Sequence, residues 1–429
     1  MQSIIPETLL SLQHDPHGLE TTYREQPDAF ARALSVALDR DPESLALRIW
    51  AARLDLALAE VGAGHAEPRW AWANALTPER ARTLLWTTVG LIALAGTWAK
   101  LPTLLGWTGD LDSPSYEAFY ARYTPFFAAL PLIALFALRY RPSRQVLLAV
   151  AGGVGVLLMT QALRPIDTDA GILSTIHTPL LLVALASVVA MGARWREVGA
   201  RIGVLQLAGE TAAFTALLMM GGVALVGITA SLFAAIGMSP QVVIEWVAVY
   251  GALGAMPVAA LVASQRAESG RVAPLVARVF GPMALAVLAV YLPLLVASGG
   301  LADRDSLLAL NVTLVAVLAL VILMQAERPD VARHWTDGVA FALVALALVA
   351  DLAALGSITG RLAGGLTPNR LAVVGLNALA AVHLAGLVVP LGRRALGRGE
   401  WPGDGWTARC LTVYTAWAAF VVFVLPFLF

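Results

Sequence analysis

The chain has 429 residues, of which 59% are hydrophobic and only 14% charged, with zero net charge and a mean hydropathy of +0.74. Ordinary soluble domains are about 25% charged, so a soluble globular protein is excluded and a lipid bilayer is the expected surrounding. The neutral balance gives no basic field for nucleic acid, and the single cysteine, Cys410, excludes an intramolecular disulfide.

Residues 1–80 stand apart by their charge, from Asp15 and Glu20 to Asp55 and Glu60. They predict a small cytoplasmic helical domain. One helix is expected from Gln26 to Leu38, opened by Pro27, with Phe30, Leu34 and Leu38 on one stripe. Asp41-Pro42-Glu43 reads as the cap and first turn of a second helix, whose apolar face would carry Leu45, Ile49, Trp50, Leu54 and Leu58. Such a domain has too little core to stand alone without packing on a partner or on the rest of the chain. His14, Asp15, Pro16 and His17 fall where a secretory leader would be apolar, so no leader is expected.

From residue 81 to 429 the pattern is that of a transmembrane domain. Eleven apolar stretches are expected to cross the bilayer, at 83–106, 124–138, 145–163, 173–192, 204–236, 242–263, 281–298, 307–325, 337–356, 371–391 and 410–428. The fold class is therefore all-α, a polytopic membrane bundle of about eleven spans behind a small N-terminal helical domain. Gly221-Gly222 suggests a bend in the long fifth stretch, with Gly237 and Pro240 at its end. Pro131, Pro179, Pro257 and Pro293 fall mid-span.

Alternate loops hold fifteen basic residues, from Arg139, Arg141 and Arg144 to Arg398 and Arg409. The opposite loops hold six: Lys100, Arg122, Arg164, Arg304, Arg361 and Arg370. The positive-inside rule then places the N-terminus in the cytoplasm and Phe429 at the outer face. Lys100 is the only lysine among the cations. That bias, with abundant Ala, Leu and Val, suggests a GC-rich bacterial genome and hence the bacterial cytoplasmic membrane.

Three stretches carry a family likeness. They are Arg194-Trp-Arg-Glu-Val-Gly-Ala-Arg201 with Gly209-Glu210 and Gly221-Gly222, Ala273-Pro-Leu-Val-Ala-Arg-Val-Phe-Gly-Pro282, and Gly365-Leu-Thr-Pro-Asn-Arg370. Over about residues 80–429 the chain resembles the bacterial polytopic membrane proteins catalogued as domain of unknown function 4153. The resemblance implies a membrane fold and no particular activity.

Polar residues inside spans are costly, about 2.5–3.5 kcal/mol for a mid-helix Asp or Arg, and mark candidate sites. Glu210 and His383 lie at comparable depth and could form a proton-relaying pair. Alternatively, Glu210 pairs with Arg201 or caps a neighbouring helix, and His383 bonds a carbonyl. Asp351 and Asn377 lie level on consecutive helices, with Asn311 and His177 near that depth. They could line an outward-facing polar cavity or simply bond helices together. Thr367 and Pro368 should cap the tenth span, leaving Arg370 to pair with Asp351, bind an anion or snorkel.

Phosphate-loop, zinc-protease, Cys-x-x-Cys and dinucleotide motifs are absent from the sequence, so neither a cofactor nor a metal is expected. Asp110-Leu-Asp112 with Glu117, in the first outer loop, resembles the acidic loops of membrane glycosyltransferases. Three readings follow. The first is a permease or transporter-like protein handling a small solute or lipid. The second is a sensor, scaffold or assembly partner that docks a cytoplasmic protein through residues 1–80. The third is an enzyme built on Asp110 and Asp112.

Overall fold

The computed structural model describes residues 6–41, 44–54, 77–106, 114–165, 167–236, 238–241, 243–265, 272–328, 334–360, 365–398 and 403–429. Every regular element among them is a helix. The chain divides into two compact units, Met1–Ala71 and Trp72–Phe429.

The N-terminal unit holds α1 (Pro6–Ser11), α2 (Pro16–Glu25), α3 (Pro27–Arg40) and α4 (Leu45–Arg53). Proline opens α2 and α3, where the missing N–H costs nothing. Asp15 caps α2, its Oδ1 accepting from His17 N at 3.1 Å and Gly18 N at 3.0 Å. Phe30, Leu34 and Leu38 are buried as their spacing predicts. Tyr23, Phe30 and Trp50 pack ring on ring, and Arg53 covers Trp50 while bonding Glu20.

The expected face of α4 is corrected. Leu45 and Ile49 are exposed, whereas Leu47, Trp50 and Ala51 are buried. The helix carries two apolar stripes, and the aromatic cluster selects the one containing Trp50. Leu58 lies outside the described residues. Trp50→Ala should therefore cost about 3–5 kcal/mol in denaturant unfolding of the N-terminal unit. Leu45→Ala should stay within about 0.5 kcal/mol, and equal costs would contradict this packing.

The second unit is a polytopic membrane bundle. Ten helical segments among the described residues are long and apolar enough to cross a bilayer. They fall in α7 (Pro114–Tyr140), α8 (Arg144–Leu163), α9 (Asp169–Met191), α10 (Val198–Ala235), α11 (Val249–Gln265) with the turn before it as Ile244–Gln265, α12 (Ala273–Ala297), α13 (Arg304–Ala326), α14 (Trp335–Gly360), α15 (Pro368–Ala395), and α16 (Gly403–Ala419) with its continuation as Gly403–Leu428. A π-helical turn, Val243–Ala248, precedes α11; another, Phe420–Val424, continues α16 into α17 (Leu425–Leu428).

The first expected span, 83–106, forms α5 (Pro78–Ala99) and the short α6 (Leu101–Leu104). At 22 residues, or about 33 Å, α5 is long enough. It is less apolar than the ten, because Thr83, Trp86, Thr87, Thr88, Thr97 and Trp98 dilute its Leu/Ile/Ala run. Thr83, Thr87, Thr88 and Thr97 satisfy their hydroxyls internally, each donating to the carbonyl four residues back. The helix packs on α7 and α11.

One hydrophobic core is shared by α12, α13, α14 and α15, and a second by α7, α8, α9 and α16. Close approach of α15 and α16 depends on two glycines. A Cβ at Gly375 would overlap the Trp417 ring, and one at Gly386 the Trp406 ring. Both pairs are eleven residues apart, about three turns, so one antiparallel register seats both indoles. The long α10 buries residues from Ala200 to Thr211 and then presents apolar side chains outward, Val223 being 68% exposed. It runs uninterrupted through Gly221-Gly222. Pro131, Pro179, Pro257 and Pro293 all sit inside helices.

Candidate functional site

The buried half of α10 ties several helices together. Glu210, 2% exposed, accepts from Ala273 N at 2.9 Å through Oε1 and so caps the first turn of α12. Gln206 donates to the Ala326 carbonyl at 2.6 Å and closes the end of α13. Gly209-Glu210 and Ala273, from two of the stretches quoted for the family likeness, thus meet. Arg201 turns to α16 instead, donating to the Ala408 carbonyl at 2.7 Å and to Thr412 at 2.8 Å.

His383 on α15 is fully buried and does not bond Glu210, so the relay pair is corrected. Its Nδ1 lies 3.2 Å from the Tyr414 hydroxyl and its Nε2 lies 3.4 Å from Thr407 Oγ1. Thr407 donates its one hydrogen to Gln325 Oε1 at 2.6 Å. Only lone pairs then remain on Thr407 for His383, so in the neutral ring Nε2 carries the hydrogen and Nδ1 is the acceptor facing the Tyr414 hydroxyl, whose one hydrogen also has the Leu379 carbonyl within reach at 3.5 Å. Tyr414, His383, Thr407 and Gln325 thus form one hydrogen-bonded chain. Trp406 fixes the ring's backbone, its indole N–H donating to the His383 carbonyl at 3.0 Å.

Gln325 lines a cavity of about 10 Å³ with Arg328, Thr336 and Asp337, room for about one water. Asp337, 2% exposed, is a buried ionic centre. Arg328 Nε donates to its Oδ1 at 2.9 Å, His334 N donates to its Oδ2 at 3.1 Å, and Arg394 Nε lies 3.8 Å away.

At the other end of this line, Asp351 on α14 is 1% exposed, and neither carboxyl oxygen has a hydrogen-bond partner. It lies within Coulombic range of Tyr414. The expected grouping of Asp351, Asn377 and Arg370 is corrected. Asn377 donates to Asn311 Oδ1 at 2.8 Å, linking α15 to α13. Arg370 folds back on the Gly365 carbonyl, while Thr367 caps α15 by accepting from Arg370 N at 3.3 Å. His177 donates from Nδ1 to the Leu173 carbonyl of its own helix at 2.8 Å. His177 and Arg370 are thus occupied locally, leaving Asp351 as the carboxyl without a donor.

Asp110 and Asp112 lie outside the described residues, and Glu117 is exposed on α7. No group of three or more His, Cys, Asp or Glu side chains suited to a metal occurs among the described residues. Tyr414, Thr407, Gln325 and Asp337 escaped the sequence reading. Gln325 and Asp337 were visible as polar residues at the edges of expected spans, whereas nothing in the sequence distinguishes Tyr414 from an interfacial tyrosine. The chain matches no family model, no curated protein and no solved structure.

Proposed function

We propose that this chain is a permease of the bacterial cytoplasmic membrane, coupled to protons through Asp351. The observation that carries the reading is the Asp351 carboxyl, buried mid-helix without a donor. Such a group is stable only when its charge is neutralised by a proton or a cation. The Tyr414–His383–Thr407–Gln325 chain links its vicinity to the Asp337 cavity through hydrogen bonds. Asp351 and Asp337 are fourteen residues apart on α14, about 21 Å at 1.5 Å per residue. That is most of a hydrocarbon core of about 30 Å.

The arginine bias supports a cytoplasmic N-terminus, which puts the Asp337 cavity at the cytoplasmic end of this line. The three stretches support placing the chain with the family of domain of unknown function 4153, whose likeness bears on fold and not on cargo. A small solute or a lipid is the cargo class that this reading carries.

Infrared spectroscopy of the full chain in lipid films tests the protonated carboxyl. At neutral pH the wild type should show a carboxylic-acid carbonyl band that Asp351→Asn removes. Identical spectra in that region would mean that Asp351 carries no proton.

Exposed Leu45 and Ile49 on α4 favour a second reading, in which the N-terminal unit docks a cytoplasmic protein. On that reading Leu45→Glu with Ile49→Glu, and not Asp351→Asn, would reproduce the effect of deleting the chain.

A further inference from the structure

At the end of the bundle opposite Asp337, two arginines sit together, neither ion-paired to an acid among the described residues. Arg164, just past the end of α8, is 7% exposed. Its Nη2 donates to Gln161 and Thr175, while its Nε and Nη1 have no acceptor. Arg122 on α7 donates from Nη2 to the Arg164 carbonyl at 3.2 Å, and its own buried Nε has no acceptor. Neither arginine has an ion pair among the described residues. Burial first, and the Arg122 cation second, pull the Arg164 guanidinium below its ordinary value; it remains charged at neutral pH. Two crowded cations with N–H groups to spare form a receptor for an anion, and the guanidinium fork suits phosphate oxygens.

The same stretches of α7 and α8 line an open groove of about 580 Å³, with Trp98, Phe119, Tyr123, Leu158, Met159 and Ala162 on its walls. The two features are continuous in the sequence. Phe119 and Tyr123 flank Arg122 on α7, and Ala162 stands two residues before Arg164. Trp98 packs edge-on against Phe127, with ring centroids 4.9 Å apart. Met159 is 65% exposed and turns outward, where the bilayer lies. The arginines sit where the apolar runs of α7 and α8 give out, at the depth of lipid headgroups.

We propose that this groove is a binding site for a membrane lipid with an anionic phosphate headgroup, the phosphate on Arg122 and Arg164 and the hydrocarbon tail along Trp98, Tyr123 and Met159. The charge complementarity selects the head, and the aromatic and aliphatic lining selects the tail. The site is built on α5, α7 and α8. It does not depend on Asp351, so the coupling proposal and this one can fail separately.

Native mass spectrometry of the purified full chain in an uncharged detergent tests it, with three probes: dioleoyl phosphatidic acid, dioleoylglycerol and inorganic phosphate. The wild type should retain phosphatidic acid, and Arg122→Gln or Arg164→Gln should each lower its occupancy about tenfold, the loss of one charge-assisted contact. Ala162→Trp, which puts an indole on the groove lining and leaves both arginines in place, should lower it as well. Arg164 also bonds Gln161 and Thr175, so Arg122→Gln, at a half-buried side chain, is the decisive variant should Arg164→Gln fail to fold. Inorganic phosphate should not displace the lipid. Equal retention of dioleoylglycerol, full displacement by inorganic phosphate, or wild-type binding by Arg122→Gln and Ala162→Trp would each overturn the proposal.

Discussion

Asp337→Ala should destabilise the membrane unit by about 3–5 kcal/mol, read from its unfolding in detergent. Asp337 sits in the first turn of α14 with 2% exposure and takes a charged hydrogen bond from Arg328 and a backbone bond from His334. Removing it takes a carboxylate away from two cations whose side chains are only 12% and 8% exposed, Arg328 and Arg394. Breaking a buried pair from one side is costly because the partner's lost hydration is not replaced. Asp337→Asn, which keeps an oxygen for the His334 amide, should cost less. A loss below about 0.5 kcal/mol for Asp337→Ala would show that the arginines do not depend on this carboxylate.

The spans were legible because bilayer thickness imposes an apolar run of about twenty residues, and such runs survive in sequence whatever their neighbours. α5 shows the edge of that signal, since its threonines keep the length and lose the apolarity. Side-chain pairing was less legible. A helix that is apolar all round carries no stripe to say which face turns inward. Asp351 and Asn377 therefore looked like partners on consecutive helices, but Asn377 turns to Asn311 on α13. Glu210 was readable as a costly buried acid, yet its partner, the first amide of α12, lies sixty-three residues away. His383 was singled out for its charge, whereas the groups that make a chain of it, Tyr414 and Thr407, are uncharged and sit on α16. In the N-terminal unit α3 had one apolar stripe and was read correctly. α4 had two, and only the Tyr23–Phe30–Trp50 contact decides between them.

Asp351→Asn should abolish proton movement through the bundle. The amide cannot accept and release a proton, so the hydrogen-bonded chain from Tyr414 to Gln325 loses the group that loads it. Tyr414→Phe should have the same sign, because it removes the hydroxyl 3.2 Å from His383 Nδ1 while keeping the ring that packs on it. The measurement that tests this account most directly is proton uptake by vesicles containing the full chain and an entrapped pH-sensitive dye, driven by a potassium diffusion potential. Wild-type vesicles should acidify faster than protein-free vesicles, and Asp351→Asn vesicles should fall to the protein-free rate. An Asp351→Asn protein that acidifies vesicles as fast as the wild type, or a wild type no faster than lipid alone, would contradict a proton-carrying role for Asp351.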